Sequence, residues 1–127
     1  MNSNHREAFR HGLDEFNTER FFEAHEVWEQ VWLASIGVEK RFLQGIIQIA
    51  AAFHHYQRGN RLGACSLLAA GLRRLHDLPP DHGGIALDRL CLAAGEWVTA
   101  LQAEKDPGRA RFPKIQMAES LRQKEPT

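Results

Sequence analysis

The segment Glu23-Ala24-His25-Glu26-Val27-Trp28-Glu29 puts one imidazole and three carboxylates within seven residues. On a helix, His25 and Glu29 are surface neighbours at i and i+4. Glu26 stands beside them, while Glu23 turns more toward solvent. An imidazole next to carboxylates suits acid–base work or ligation of a divalent metal. The run His25-Glu26-Val27-Trp28-Glu29 departs from a His-Glu-x-x-His zinc helix at its last position. Glu29 occupies the place where the second histidine must reach the same ion. No Glu-x-x-His occurs, as a di-iron bundle would need, and there is neither a Gly-rich phosphate loop nor a nucleophile elbow. Classical hydrolase and nucleotide-binding assignments therefore fail.

Partners for this cluster are expected from residues 42–56, FLQGIIQIAAAFHHY, which lack Lys, Arg, Asp and Glu. A helix apolar on most faces is a central one, so its polar side chains need partners. At about 100° per residue Gln44, Gln48, Ala51 and His55 share a narrow face, with His54 pointing elsewhere beside Leu43 and Ile47. Three arrangements satisfy the pattern. The carboxylates form a solvated face; or His25, Glu26 and Glu29 meet Gln44, Gln48 and His55 in a buried network that fixes register. In the third, Glu23, His25, Glu26, Glu29, Gln44, Gln48 and His55 line a cleft for a small ligand, an ion or a partner. There His25, Glu26, Glu29 and His55 are the candidate ligands of a divalent metal. A helical binding module is the expectation; a metal-assisted hydrolase and a structural or assembly protein are its alternatives.

The elements that position these groups follow from the punctuation. Asn4 and Glu7 suggest a capping box opening a first helix over about residues 5–16, with Phe9, Leu13 and Phe16 inward. Asn17-Thr18 offers an N-cap for a second helix reaching about Ser35, with Phe21, Ala24, Trp28, Val31 and Trp32 on its apolar face. Gly37 precedes a third helix over about residues 38–58. Gly59 and Asn60 then make a short turn into a fourth, which carries Leu62, Leu67, Leu68, Leu72 and Leu75 and stops before Pro79-Pro80. After a loop over residues 79–84, a fifth helix runs to about residue 105 with Trp97 and Leu101 inward. The basic tail, residues 106–127, is expected to pack loosely through Phe112 and Ile115 and to be partly flexible. The prediction is a single all-α domain, a compact bundle of about five helices over residues 1–127.

Sixteen basic and sixteen acidic side chains cancel, which argues against a nucleic-acid binder relying on a net cationic surface. Cys65 and Cys91, without Cys-x-x-Cys spacing, read as small core hydrophobes in a reducing compartment. The N-terminal MNSNHREAFRHG lacks the apolar run of a secretory signal, and no stretch approaches the roughly 20 apolar residues of a membrane span. A cytoplasmic location without membrane contact is expected; a small-molecule ligand and a homo-oligomer remain open as partners. Trp28, Trp32 and Trp97 read as core, His76 and His82 as loop histidines, and Arg109, Arg111 and Lys114 as a solvated terminus.

Three blocks in order resemble the signature of an uncharacterised prokaryotic family catalogued as domain of unknown function 309. They are Phe22-Glu23-Ala24-His25-Glu26-Val27-Trp28-Glu29, Phe42-Leu43-Gln44-Gly45-Ile46-Ile47-Gln48, and Gly59-Asn60-x-x-Gly63-Ala64. Together they span roughly residues 16–75. The resemblance implies a compact helical bundle and groups Glu23, His25, Glu26 and Glu29 with Gln44, Gln48 and His55. It implies no activity.

Overall fold

Asn2 closes the first helical turn: its side-chain oxygen accepts from the His5 N–H at 2.8 Å. In the computed structural model, which describes residues 1–119, this cap opens α1 (Ser3–Asn17). Asn4, expected to cap with Glu7, therefore lies inside the helix. The Asn17-Thr18 pair ends α1 instead of starting the next helix. Thr18 is its C-cap, and the hydroxyl donates back to the Asp14 and Glu15 carbonyls at 2.9 and 3.1 Å. Helix α2 (Phe21–Leu33) follows Arg20 with no side-chain cap. Its entry is held by buried Phe21 and by the Arg20–Glu15 ion pair at 2.7 Å.

Among the described residues three further α-helices follow: α3 (Gly37–Gln57), α4 (Arg61–Leu75) and α5 (Leu87–Gln102). The expected turn between α3 and α4 is present. Gly59 adopts φ +81°, a left-handed conformation that favours glycine, and Asn60 caps α4 by accepting from the Gly63 N–H at 2.9 Å.

Helix α3 is central, flanked by α2 and α4. It buries Phe42, Leu43, Ile46, Ile49, Ala50, Ala52 and Phe53 completely. Two glycines let α4 come unusually near. A Cβ on Gly45 would stand 2.6 Å from the Leu75 side chain, and one on Gly71 would stand 2.7 Å from the Gly45 carbonyl oxygen. The contact of α1 with α2 uses the same device. Gly12 lies against the indole of Trp28, a fully buried side chain whose Nε1–H donates to the Phe9 carbonyl at 3.0 Å.

Beyond α5 the chain returns to this core. Phe112 is buried against Phe21, Phe53, Tyr56 and Trp97. The Asn17 amide clamps Ile115 twice, donating to its carbonyl at 2.9 Å and accepting from its N–H at 2.7 Å. Residues 120–127, the far end of the expected flexible tail, lie outside the described residues. Leu62, counted among the leucines of the fourth helix, is 86% exposed, and Trp32, read as core, is only half-buried. Cys65 and Cys91 are half-buried free thiols, and burial raises the pKa of Cys91. No helix among the described residues is long and apolar enough to cross a membrane.

Two glycines separate tight packing from open space. Gly12→Ala forces a methyl group into Trp28 and should destabilise the protein by about 1–3 kcal/mol. A methyl at Gly95, within α5, meets nothing within 4 Å, so Gly95→Ala should stabilise by about 0.5–1 kcal/mol. Urea unfolding of the two variants checks the opposite signs.

Candidate functional site

Along α2, Phe22, His25, Glu29 and Trp32 recur at three- and four-residue steps and therefore lie on one stripe. Phe22 is 45% exposed and stacks on the His25 ring, with centroids 6.0 Å apart and planes at 25°. Its other neighbour is His54 of α3, at 5.2 Å. The His25 Nε2 lies 3.7 Å from a Glu29 carboxylate oxygen. That is too long for a firm hydrogen bond but close enough for charge pairing when the imidazole is protonated. Further along the stripe the Lys40 ammonium sits 4.3 Å above the Trp32 ring.

Two ring nitrogens on this stripe, His25 Nδ1 and Trp32 Nε1, are buried without a hydrogen-bond partner among the described residues. Such an orphan costs about 1–3 kcal/mol relative to a satisfied group. The indole N–H can only donate. A proton on His25 Nε2, favoured by the nearby Glu29 carboxylate, leaves Nδ1 as an acceptor. One donor and one acceptor thus sit about two helical turns apart, both sealed from solvent, while Phe22 and Glu29 on the same stripe are exposed.

Sequence reasoning grouped these α2 residues with Gln44, Gln48 and His55, and the structure separates them. The Gln48 side-chain oxygen accepts from Arg74 Nε of α4 at 3.0 Å. His55 Nδ1 stands 3.1 Å from Asn60 Nδ2 at the α3–α4 turn, and Gln44 is half-buried. It is His54 that meets Phe22. The cause is the rotation of α3. Gly45 faces α4, and at about 100° per residue His54 lies roughly half a turn away from it, whereas Gln48 and His55 fall within about 80°. In the sequence, Gly45 is the residue that carries this direction, because a glycine marks where a neighbouring helix comes closest. Phe22 and Trp32 were missed because both read as ordinary helix apolar positions.

The carboxylates disperse as well. Glu23 pairs with Arg20 at 3.6 Å, and Glu26 is exposed. Among the described residues no three His, Cys, Asp or Glu side chains are grouped to hold one metal ion, so His25, Glu26, Glu29 and His55 do not converge. Of the loop histidines, His82 Nε2 lies 2.9 Å from a Glu39 oxygen, and His76 Nδ1 lies 2.9 Å from the Arg73 carbonyl.

An all-α bundle with an aromatic and imidazole stripe between α2 and α3 is the class these features define. The family resemblance holds over residues 9–67, which match the model described as a domain of unknown function (DUF309). Over 80 residues the chain is 39% identical to the uncharacterised protein YpuF of Bacillus subtilis (strain 168). That alignment covers 56% of this chain and 46% of the relative. Over 76 residues it is 30% identical to an uncharacterised protein of Aquifex aeolicus (strain VF5), covering 59% and 23% respectively. The chain thus spans less than half the length of either relative.

Burial, then the cationic Arg58 and the neighbouring His55, hold the His54 pKa below its ordinary value of 6.5. The folded chain binds this proton less readily than the unfolded chain. Stability is therefore present above about pH 6.5 and is lost as pH falls through and below it. His54→Gln should flatten the pH dependence of the urea midpoint between about pH 5 and 7. An unchanged slope would show that His54 is not held neutral by the fold.

Proposed function

We propose that the chain is a helical binding module whose site is the α2–α3 stripe of Phe22, His25, Glu29, Trp32 and His54, and that it recognises an amide-bearing ligand. The supporting observation is the pair of buried, unpartnered ring nitrogens, His25 Nδ1 and Trp32 Nε1. The two atoms lie about two helical turns apart, so a peptide backbone of a few residues supplies both partners, a carbonyl for the indole N–H and, farther along, an N–H for the imidazole lone pair, each ring turning outward to meet it. A ligand satisfying both recovers an energetic cost that the free protein bears, and half-exposed Phe22 adds an apolar surface beside them. The two free thiols support a cytoplasmic setting for such a module.

The His25–Glu29 pair favours a second reading, acid–base chemistry by an imidazole beside a carboxylate. The dispersal of the other carboxylates makes it the weaker of the two.

Nuclear magnetic resonance on nitrogen-15-labelled protein tests the binding site through its three indole N–H signals. Those of Trp28 and Trp97 already donate to the Phe9 and Arg111 carbonyls, each at 3.0 Å. Titration with a panel of N-acetyl dipeptide amides should shift the Trp32 signal and leave the other two in place. Trp32→Phe and His25→Ala should each weaken binding about tenfold. Peptides that leave the Trp32 signal unmoved, or bind the double variant at full strength, would refute the site.

A further inference from the structure

We propose a second binding site, independent of the first: the groove between the first half of α1 and the turn at residues 82–84, built for an organic anion with a short apolar tail. The groove encloses about 570 Å³, within the range of small-molecule sites. Phe9 and Leu13, both nearly sealed from solvent, underlie a floor whose accessible apolar surface comes from exposed Met1 and half-buried Met117. Arg6 and Arg10 stand over that floor one helical turn apart, exposed and without a carboxylate partner among the described residues. Glu39 is the one acid lining the groove among the described residues, and its carboxylate is already taken by His82 Nε2 at 2.9 Å.

The walls are in place before any ligand arrives. The Phe9 ring packs on Trp28 and Phe42, at 6.1 and 5.9 Å. Gly83 (φ +71°) lies so close to Phe42 that a Cβ would stand 2.6 Å from that ring, so this wall is bare backbone. The far side is pinned by the Ala118 N–H donating to the Gly84 carbonyl at 2.9 Å and by the Ile85–Met117 bridge.

Two guanidinium groups one turn apart can share a phosphate or carboxylate through forked, charge-assisted hydrogen bonds. The apolar floor beneath takes a tail of several carbons. A bare inorganic anion would leave that floor uncovered, and a neutral alcohol would leave both guanidinium groups unused. The site therefore selects molecules that carry both parts, whether a free alkyl or aryl phosphate or the headgroup region of an anionic lipid.

Calorimetric titration with octyl phosphate, inorganic phosphate and octanol tests this directly. Octyl phosphate should bind at least about tenfold more tightly than either fragment and should shift the Met1 and Met117 methyl resonances. The Arg6→Ala, Arg10→Ala double variant should lose about tenfold in affinity with an unchanged melting temperature, because both side chains are exposed. The corresponding double lysine variant, which keeps charge but not the fork, should fall between the two. Flotation with anionic phospholipid vesicles, abolished in the double alanine variant, would assign the lipid as source; no flotation alongside octyl phosphate binding would assign a free ligand. Equal affinity of wild type and double alanine variant for octyl phosphate, or no gain over the fragments, would overturn the proposal.

Discussion

The close approach of α3 and α4 at Gly45 and Gly71 governs most of what the molecule presents to solvent. With a carbonyl oxygen of one helix filling the space where the other would carry a side chain, neither helix can turn about its axis without a clash. The rotation of α3 is thereby fixed, and the fate of every polar side chain on it follows. Gln48, near the glycine direction, faces α4 and finds Arg74; His55 ends at the turn beside Asn60. His54, roughly opposite, meets the aromatic side chain of α2. A one-residue difference in sequence becomes a difference of helix partner.

This constraint also marks how much was legible beforehand. The five helices, the α3–α4 turn and the central position of α3 could be read from apolar spacing and from the Gly59-Asn60 pair, because each is local. The first two helix starts were misplaced for a reason of chemistry. Asn2, Asn4, Asn17 and Thr18 are all competent caps, and a side chain able to cap a helix N-terminus can equally bond backward to the preceding turn, as Thr18 does. Of the α2 half of the candidate site, the His25–Glu29 adjacency was legible, since it depends only on helical periodicity, whereas Phe22 and Trp32 read as ordinary apolar positions. The α3 half required the rotation of one helix relative to two others. Periodicity gives the relative angles of residues on α3 but not the direction that any of them faces.

Once that rotation is set, the ionisable groups sort by what surrounds them. Where a polar group leaves water here, a partner usually follows: Arg41 reaches Asp77 and the Arg74 carbonyl, and Glu39 takes His82. Burial of a donor without an acceptor is selected against in the energetics of any fold, because water is lost and nothing replaces it. The α2–α3 stripe departs from this pattern at two atoms within one face, so its cost cannot be assigned to a single awkward rotamer.

The three tryptophans make the comparison internal to one protein. Trp28 is sealed in the core and Trp97 is nearly so, yet each indole N–H finds a backbone carbonyl at 3.0 Å. The Arg111 carbonyl ends the short turn at residues 109–111, where an acceptor is free, whereas the Phe9 carbonyl lies inside α1 and is reached across Gly12, which has no side chain in the way. Trp32 is the least buried of the three and the one whose N–H is left without an acceptor. If packing alone dictated these rings, the deepest would be the hardest to satisfy. The reverse order sets Trp32 apart from its neighbours in the core and locates the unmet hydrogen-bonding capacity of the bundle on the same stripe as His25.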